Sequence, residues 1–441
     1  MFREYLDFEV DAFLAFLELR KGYSMLLDSR YQLKDYGDYS IILFNPKMIL
    51  KQKNQRVFIL EKGLEREVKE DLLDVLDKYI EVYKSPSDLI FNGGFVGYFS
   101  YDFGMELCKV KRKNPSYVKL PEAFFAYYDE YIIIDHKNKN TIINTSDPKI
   151  VEVLKRLKNE EYPLKEIEGL TLLSNFTEEE YKKGVEKVRE YIRQGEVYQV
   201  NISQQFFAKG KVDPYNAYAK LRKVNYGPYN AFLEVDGGFV LSTSPEQFIR
   251  KRGRYITTRP IKGTTKRSYN KEENEKLKSM LLQSEKIKSE LLMIIDLERN
   301  DLSKICIPGS VEVKSLFEVE EYATVNHLVS TIQGKLLDCV KFSDIIKAMF
   351  PGGSITGAPK LRSMEVIEEI ENVSRGIYTG SIGYISNNGN FDFNIAIRTV
   401  VIDDCGIYYN VGGGIVWDSD PKEEYEETLH KGKAIYSTFS K

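Results

Sequence analysis

The chain has 441 residues, 42 % apolar and 29 % charged, as in soluble globular proteins that need no disulfide framework. Its 63 lysines and arginines against 66 aspartates and glutamates give a net charge of -3, which argues against a nucleic-acid-binding protein. Four cysteines without a CxxC pair and three histidines argue against a zinc site. We expect a cytoplasmic protein, because the sequence shows no signal-peptide pattern and no apolar run of about 20 residues.

Strand-like runs dominate the first third of the chain, at 40–44, 56–60 and 130–135. The polar stretch 141–176 follows, with a charged helical pattern after Asp147-Pro148. The composition therefore predicts an N-terminal region over 1–140, a linker over 141–176 and a C-terminal region over 177–441.

The C-terminal region opens with a capping box, Thr177 and Glu180, that predicts the start of a helix. The run VYQVNISQQFF follows and predicts a half-buried strand with an amide-rich polar face. Residues 232–246 read as a hairpin that turns at 236–238, and residues 274–297 as a helix.

The last third contains the Gly/Pro loop FPGGSITGAPK, in which Pro359 is placed to open the next helix. Residues 376–416 are predicted as strands and turns, and a last helix begins near Pro421. Strand runs and helix runs are segregated along the chain, which favours an α+β fold over a parallel βαβ sheet.

The last helix places Glu424, Glu427 and Lys431 on one face. Two carboxylates one turn apart suit a cation, and the lysine suits an anionic substrate. The alternative is a solvated first turn, where the helix dipole favours acidic residues. A different stripe is predicted to pack against the core, formed by Tyr425, Leu429 and Tyr436.

A further carboxylate, Glu290, directly precedes the apolar run LLMII, where a buried acid needs a partner or a cation. The alternative is an exposed face opposite a core stripe. Because magnesium prefers one or two carboxylates plus water and substrate oxygens, Glu290 and Glu427 together would suit it.

Two loop residues suit acid–base or nucleophilic chemistry. Glu246 follows a strand in SPEQF, and Lys262 lies sixteen residues later in RPIKGT, where a dry site would release its proton. A solvated lysine is the alternative. The run GGGIV at 412–416 can expose backbone N–H groups to a carboxylate, with Arg398 on the neighbouring strand, or be a tight turn beside a structural ion pair.

Taken in order, these segments resemble the chorismate-utilising enzymes, a family that includes anthranilate, aminodeoxychorismate, isochorismate and salicylate synthases. The similarity runs from about 177 to the C-terminus, and residues 1–140 look like the more variable N-terminal part of its anthranilate-synthase-component-I type. The stretches that carry it are GEVYQVNISQQF, STSPEQF, RPIKGT, ELLMIIDLERNDL, TVNHLVSTI, FPGGSITGAPK, YTGSIGY, FNIAIRT, GGGIVWDSDP and EYEET.

The resemblance implies an α+β fold of two intertwined lobes of antiparallel sheets, with helices outside and the active site between the lobes. It implies a Mg²⁺ cofactor held by Glu290 and Glu427, with Glu424 beside them. Glu246 matches the general acid, and His327 matches an active-site histidine. The positions that match substrate binders are Arg398, Tyr378, Lys431, Thr264, Gly412, Gly413 and Gly414.

Two positions choose among the family members. Gln199 stands where the isochorismate and salicylate synthases have a water-activating lysine, which implies ammonia from a glutamine amidotransferase subunit as the nucleophile. Lys262 makes PIKGT, typical of aminodeoxychorismate synthases, where anthranilate synthases have PIAGT. The resemblance therefore implies amination of chorismate to 4-amino-4-deoxychorismate for p-aminobenzoate and folate synthesis; the alternative is conversion of chorismate to anthranilate and pyruvate for tryptophan synthesis.

One segment is similar to the tryptophan site of anthranilate synthases. It is YSMLLDSR at 23–30, and it implies a possible tryptophan site at Leu27, Asp28 and Ser29. Asp28 stands where glutamate is usual.

Overall fold

The computed structural model describes residues 1–29, 36–158, 160–322 and 325–440, in which the chain forms 24 strands and 11 α-helices. The strands are β1 (Phe2–Leu6), β2 (Met25–Asp28), β3 (Tyr39–Leu43), β4 (Met48–Lys53), β5 (Arg56–Glu61), β6 (Leu64–Val68), β7 (Gly94–Phe99), β8 (Ala123–Tyr128), β9 (Tyr131–Asp135), β10 (Asn140–Thr145), β11 (Leu173–Ser174), β12 (Gln199–Lys209), β13 (Tyr229–Val235), β14 (Gly238–Ser244), β15 (Gln247–Arg252), β16 (Tyr255–Arg259), β17 (Ile261–Lys266), β18 (Glu312–Glu321), β19 (Val325–Lys335), β20 (Gly357–Ala358), β21 (Ser381–Ser386), β22 (Phe391–Asn394), β23 (Thr399–Asp403) and β24 (Gly406–Ile415). Arg30 and Thr324, the ends of two sequence motifs, lie outside the described residues.

The helices surround the strands. They are α1 (Ala12–Leu19), α2 (Leu72–Val82), α3 (Tyr101–Leu107), α4 (Lys149–Leu157), α5 (Glu178–Arg193), α6 (Pro214–Val224), α7 (Lys271–Gln283), α8 (Glu285–Ser303), α9 (Phe342–Met349), α10 (Lys360–Ile370) and α11 (Pro421–Phe439), with a 3-10 turn at Gly353–Ile355. No helix in these ranges is long and apolar enough to cross a membrane.

Two twelve-stranded antiparallel sheets form the body of the molecule. The first sheet has the order β1-β10-β9-β3-β2-β13-β14-β23-β24-β12-β11, with β20 beside β12. The second has the order β17-β19-β16-β15-β22-β21-β7-β8-β4-β5-β6, with β18 beside β19. The expected α+β class, with large antiparallel sheets and helices outside, is confirmed.

The core follows from the alternation of apolar side chains along the strands. In β9, Tyr131 and Ile133 join a core cluster that draws on both sheets, whereas Ile132 and Ile134 join a second cluster under the helices. Because neighbouring residues of a strand point to opposite faces, one continuous apolar run supplies both cores.

The chain passes from one sheet to the other at three points that matter for function. Glu246 lies between β14 of the first sheet and β15 of the second, and Arg398 lies between β22 and β23. Tyr378 lies between β20 and β21. These crossings put all three side chains where the sheets meet.

Each sheet joins a block of strands from the first part of the chain to a block from the C-terminal region. The two blocks meet where β2 pairs with β13 in the first sheet and where β7 pairs with β21 in the second. The predicted linker, 141–176, contains most of β10 together with α4 and β11. The boundaries at 140 and 176 therefore divide the sequence but not the sheets.

Several local predictions are confirmed, and two need correction. The capping box of Thr177 and Glu180 and the hairpin at 236–238 are present. The predicted helix 274–297 is two helices, because Ser284 ends α7 and caps α8 with its hydroxyl. The strand β12 is buried on both faces, not half-buried, since α5 and α10 pack against it.

A buried ion pair joins several of these elements. The Arg375 guanidinium is bidentate to Glu371, with a closest N–O distance of 2.6 Å. It also donates to the carbonyls of Ile355 and Asn201, while Glu371 accepts the backbone N–H of Ser203. The pair thereby ties β12 to the turn at Gly353–Ile355.

Removing one partner of this pair should be costly, because the other charge stays buried without compensation. We expect Glu371→Ala to lower the free energy of unfolding by about 3–5 kcal/mol. On the same helix, Glu369 forms an exposed pair with Lys187, so Glu369→Ala should cost only about 0–1 kcal/mol. Urea denaturation measures both; equal losses would contradict the role assigned to Arg375.

Candidate functional site

Three consecutive glycines of β24 run along β12, and the last of them, Gly414, lies beside an unpartnered amide. Residues Asn201, Ile202 and Ser203 pair with 414, 413 and 412, so the GGG run lies along β12. A Cβ added to Gly414 would lie 2.7 Å from Nε2 of Gln199 and 3.2 Å from Nζ of Lys262. The glycines therefore leave room for groups that a side chain would displace.

Gln199 is fully buried, and neither its amide nitrogen nor its amide oxygen has a hydrogen-bond partner among the residues the structure describes. A buried amide without a partner is costly. Its position beside Lys262 and Gly414 is therefore the geometry of a ligand contact rather than of a structural one.

Glu246 is a buried acid in the crossing between the sheets. The hydroxyl of Ser354 donates to its Oε1 at 2.7 Å. Burial is the largest influence on this carboxyl and raises its pKa to about 7, against the opposing effects of Ser354 and Lys262. At neutral pH a large fraction of Glu246 is protonated, as a general acid requires.

Lys262, on β17, is half-buried beneath the same crossing. Burial lowers the pKa of its amine, and the charge of Glu290 acts in the opposite direction. A lysine of lowered pKa has a larger neutral fraction, which is the nucleophilic form. The structure thus brings a carboxyl of raised pKa and an amine of lowered pKa within electrostatic range of each other, and Lys262 is half-buried rather than fully solvated.

His327 on β19 is opposite Thr264 of β17, and Oγ1 of Thr264 lies 3.0 Å from its Nδ1. Burial and the nearby Arg398 lower the pKa of the imidazole to about 3, so the ring is neutral at physiological pH. Its Nε2 is buried without a partner within the described ranges. His327 can therefore contact a ligand as a neutral group, not as a charged one.

Arg398 adopts a left-handed backbone conformation, with φ 51°. Its guanidinium donates to Oδ1 of Asn225 at 3.1 Å, and no described carboxylate forms an ion pair with it. The predicted alternative, an ion pair with the neighbouring Asp392, is wrong because Asp392 pairs with Arg252. Burial lowers the pKa of Arg398. A cation this desolvated suits an anionic ligand.

The hydroxyl of Tyr378 closes the other end of the glycine run. It would lie 2.9 Å from a Cβ added to Gly412. On α11, Lys431 donates to the carbonyl of Gly412 at 3.0 Å and pairs with Glu427 at 2.6 Å. These contacts bring the substrate-binding residues expected at 378, 412–414 and 431 to one surface.

Glu424 lies on the inner face of α11, where it is buried and accepts the hydroxyl of Ser419 at 2.6 Å. A Cβ added to Gly413 would lie 3.2 Å from its Oε2. Of the predicted packing stripe, Tyr425 does pack against the core, but Leu429 and Tyr436 are exposed. The helix instead buries a stripe at Glu424, Thr428, Gly432, Ile435 and Phe439.

Glu290, on α8, faces the same space. Burial raises the pKa of its carboxyl, Lys262 opposes this, and the negative charge of Glu427 raises it further. No group of three acidic, histidine or cysteine side chains in the described chain is close enough to enclose a metal. Glu290 lies within electrostatic range of Glu427, and two such carboxylates suit magnesium, which completes its shell with water and substrate oxygens.

The segment resembling a tryptophan site lines a separate cavity of about 240 Å³. Leu27, Asp28 and Ser29 form one side of it. Asp28 does not offer a free carboxylate, because it forms an ion pair with Arg222 at 2.8 Å. Two other lining groups have buried atoms without a partner in the described structure, Nδ2 of Asn230 and Oδ1 of Asp392. This cavity therefore has polar capacity for a ligand.

Two residues near the reacting centre were not singled out from the sequence. Ser354 lies in the Gly/Pro loop and contacts Glu246, and Glu298 on α8 accepts the N–H of Gly353 at 2.9 Å. The signal for Glu298 is an acid at a buried position of a helix. The loop motif was visible for Ser354, but its contact depends on tertiary structure.

Comparison with known proteins places this chain in a family. A model described as "chorismate binding enzyme" matches residues 22–437. Anthranilate synthase component 1 of Aquifex aeolicus is 39 % identical over 95 % of this chain and 90 % of its own. Aminodeoxychorismate synthase component 1 of Bacillus subtilis is 36 % identical over 98 % and 95 %. The crystal structure of anthranilate synthase component I from Streptococcus pneumoniae superposes with a TM-score of 0.80 at 30 % identity, covering 92 % of this chain and 93 % of that one.

Proposed function

The chain belongs to the family of chorismate-binding enzymes, and from this premise we propose that it converts chorismate to 4-amino-4-deoxychorismate. The nitrogen is ammonia from a glutamine amidotransferase subunit. The observation that carries the proposal is Lys262, whose amine has a lowered pKa and lies beside Gln199 and Gly414. A lysine at this place gives the site a nucleophile of its own.

The first substitution uses Lys262 and Glu246. The neutral amine of Lys262 attacks ring carbon C2 of chorismate, both ring double bonds shift by one position towards C4, and the bond from C4 to its hydroxyl breaks. Glu246 gives its proton to that hydroxyl, which leaves as water. The site then holds an alkylated lysine ammonium and the carboxylate of Glu246.

The second substitution restores both groups. Ammonia attacks C4, both ring double bonds shift back, and the bond between C2 and Lys262 breaks, so that the lysine leaves as a neutral amine. Glu246 accepts one proton from the new C4 ammonium. The sum is chorismate plus ammonia to 4-amino-4-deoxychorismate plus water, with the enolpyruvyl group retained.

The other residues bind and orient. Arg398 and Tyr378, with the backbone at 412–414, suit the enolpyruvyl carboxylate, and Thr264 with His327 suits the ring substituents. Glu290 and Glu427 would hold magnesium, with Glu424 beside them. When bound, magnesium supplies positive charge for the ring carboxylate of chorismate.

Ammonia as the nucleophile is supported by Gln199. An amide cannot act as a general base, so this site has no group at that position to activate water. Its unpartnered oxygen can accept a hydrogen bond from ammonia. The relatives are named component 1, which supports a second component as the ammonia source.

The second candidate is the anthranilate synthase reaction, which gives anthranilate and pyruvate. It is favoured by the 39 % identity to a relative of that name. The two candidates differ in what becomes of the enolpyruvyl group, so product analysis separates them.

The role proposed for Lys262 predicts which product forms and how much turnover is lost when this lysine is replaced. With chorismate, Mg²⁺ and ammonium, the pure chain should give an aminated ring that keeps its enolpyruvyl group, identified by mass. Lys262→Ala should lower turnover about 100-fold or more, which is about 2.7 kcal/mol of barrier, while chorismate still binds.

The matched control is Lys266→Ala, because Lys266 is on the same strand and exposed; it should leave turnover unchanged. Anthranilate plus pyruvate as products would replace the proposed reaction by the second candidate. Full turnover in Lys262→Ala would remove the covalent step.

The magnesium proposal predicts a change in metal dependence. Glu290→Gln should weaken the apparent Mg²⁺ affinity by about 10–100-fold, because one of two carboxylate ligands loses its charge. The measurement is turnover against Mg²⁺ concentration. Glu285→Gln is the control, since Glu285 begins the same helix and pairs with Lys288 at the surface; equal effects would contradict the assignment.

We also propose that the separate cavity, at Leu27, Asp28 and Ser29, binds tryptophan. The support is its volume of about 240 Å³ and the two unpartnered atoms on Asn230 and Asp392. The ammonium of an amino acid can bind the carboxylate of Asp392, and its carboxylate can accept a hydrogen bond from the amide of Asn230.

Calorimetry with L-tryptophan should detect binding to the wild-type chain. Asp392→Asn should weaken it about 10-fold or more, since the ammonium loses a charged acceptor. Asp403→Asn, in a hairpin away from the cavity, is the control. An unchanged affinity in Asp392→Asn would exclude this mode, and no heat with the wild-type chain would exclude the site.

A further inference from the structure

The turn at Gly353–Ile355 lies between two buried carboxyl groups. The N–H of Gly353 donates to Oε1 of Glu298 at 2.9 Å, and the hydroxyl of Ser354, the next residue, donates to Oε1 of Glu246 at 2.7 Å. Only 2 % of Glu298 and 5 % of Glu246 is exposed. Gly353 and Ser354, which are adjacent, therefore connect Glu298 to Glu246, the proposed general acid.

The turn at Gly353–Ile355 packs closely against α8. A Cβ added to Gly353 would lie 3.0 Å from Oε1 of Glu298 and 2.6 Å from Cδ2 of Leu297. Only glycine lets the backbone come this near the helix. The second oxygen of Glu298 is buried without a hydrogen-bond partner among the described residues, so its carboxyl serves the turn alone.

We propose that Glu298 is a positioning residue for the general acid: by holding Gly353 it fixes the hydroxyl of Ser354 on Glu246, and so sets the orientation in which Glu246 delivers its proton. This inference rests on the role given to Glu246 in the proposed function. It adds a residue that touches neither substrate nor metal.

The charges around each carboxyl determine how its pKa should respond to substitution, so the proposal can be tested by titration. Glu246 faces Lys262 of β17, Lys431 of α11 and the phenol of Tyr378, and it accepts the backbone N–H of Ile261. Each lysine favours the carboxylate form. The hydrogen bond from Ser354 does the same.

Glu298 faces Lys360 of α10 and Asp301 of its own helix, and those two form an ion pair at 2.6 Å. Burial raises the pKa of Glu298 to about 7, close to that of Glu246, and the two carboxylates repel each other. Their protons therefore come off in coupled steps.

Two substitutions should move the pKa of Glu246 in opposite directions. Glu298→Gln keeps an oxygen for the N–H of Gly353 but removes the repelling charge, so the pKa should fall. Ser354→Ala removes a hydrogen bond to the carboxylate, so the pKa should rise. Shifts of about 0.5 pH unit or more are expected for a change in a neighbouring charge or hydrogen bond.

The measurement is ¹³C NMR titration of the free, full-length chain with glutamate labelled at the side-chain carboxyl. Glu246→Gln identifies the resonance by removing it. Glu368→Gln is the matched control, because Glu368 is also buried and accepts the backbone N–H of Asn114 at 2.7 Å; it should leave the titration of Glu246 in place.

Kinetics supply the second readout. A general acid must be protonated, so turnover falls as pH rises through its pKa. That fall should move to lower pH in Glu298→Gln and to higher pH in Ser354→Ala. Glu298→Leu, which cannot accept from Gly353, should lower kcat about 10-fold with KM little changed.

The outcomes separate this inference from the proposed function. Shifts in the NMR titration without chorismate turnover by any variant, wild type included, would overturn the proposed function and retain the link between the carboxyls. Turnover by the wild type with an unchanged kcat in Glu298→Leu overturns the inference. Should that variant not fold by circular dichroism, an unmoved titration in Ser354→Ala overturns it instead.

Discussion

The site depends on one buried charge. The guanidinium of Arg375 is 3 % exposed and is bound by Glu371 and by the carbonyls of Ile355 and Asn201. A charge so far from water is tolerated only where every donor finds an acceptor. Satisfying it brings β12, the turn that carries Ser354, and the segment before Tyr378 to fixed mutual positions.

The second constraint is the way the chain passes between the two sheets. Glu246, Tyr378 and Arg398 lie in the crossings rather than within strands. Paired strands on either side fix the ends of each crossing, so a short irregular segment can hold a side chain rigidly. Arg398 shows the local cost, since a left-handed backbone is unfavourable for an arginine and persists only because β22 and β23 determine it.

Burial then determines which of these residues tend to carry a proton. It raises the pKa of Glu246 and lowers the pKa of Lys262 and of His327, so that an acid, an amine and a neutral imidazole share one small volume. In water near neutral pH, Glu246 would be ionised, Lys262 would be protonated, and an imidazole would be partly protonated. The low polarity of the site causes the largest pKa shifts, and the neighbouring charges make smaller changes to them.

Much of this was readable from the sequence. The segregation of strands and helices along the chain predicts an α+β fold. The series of motifs predicts the family and the site residues at 246, 262, 290, 398 and 427. Both depend only on residue type and on the order of residues in short segments, which the sequence gives directly. Burial and contact were not readable from the sequence. It left Lys262 between a solvated and a dry lysine, put the exposed Leu429 and Tyr436 in the packing stripe of α11, and gave no sign that Glu298 holds the turn of Ser354. These depend on which distant segments meet, and that is decided by pairing between sheets and by the need to satisfy buried charge, neither of which is encoded in any single stretch of the chain.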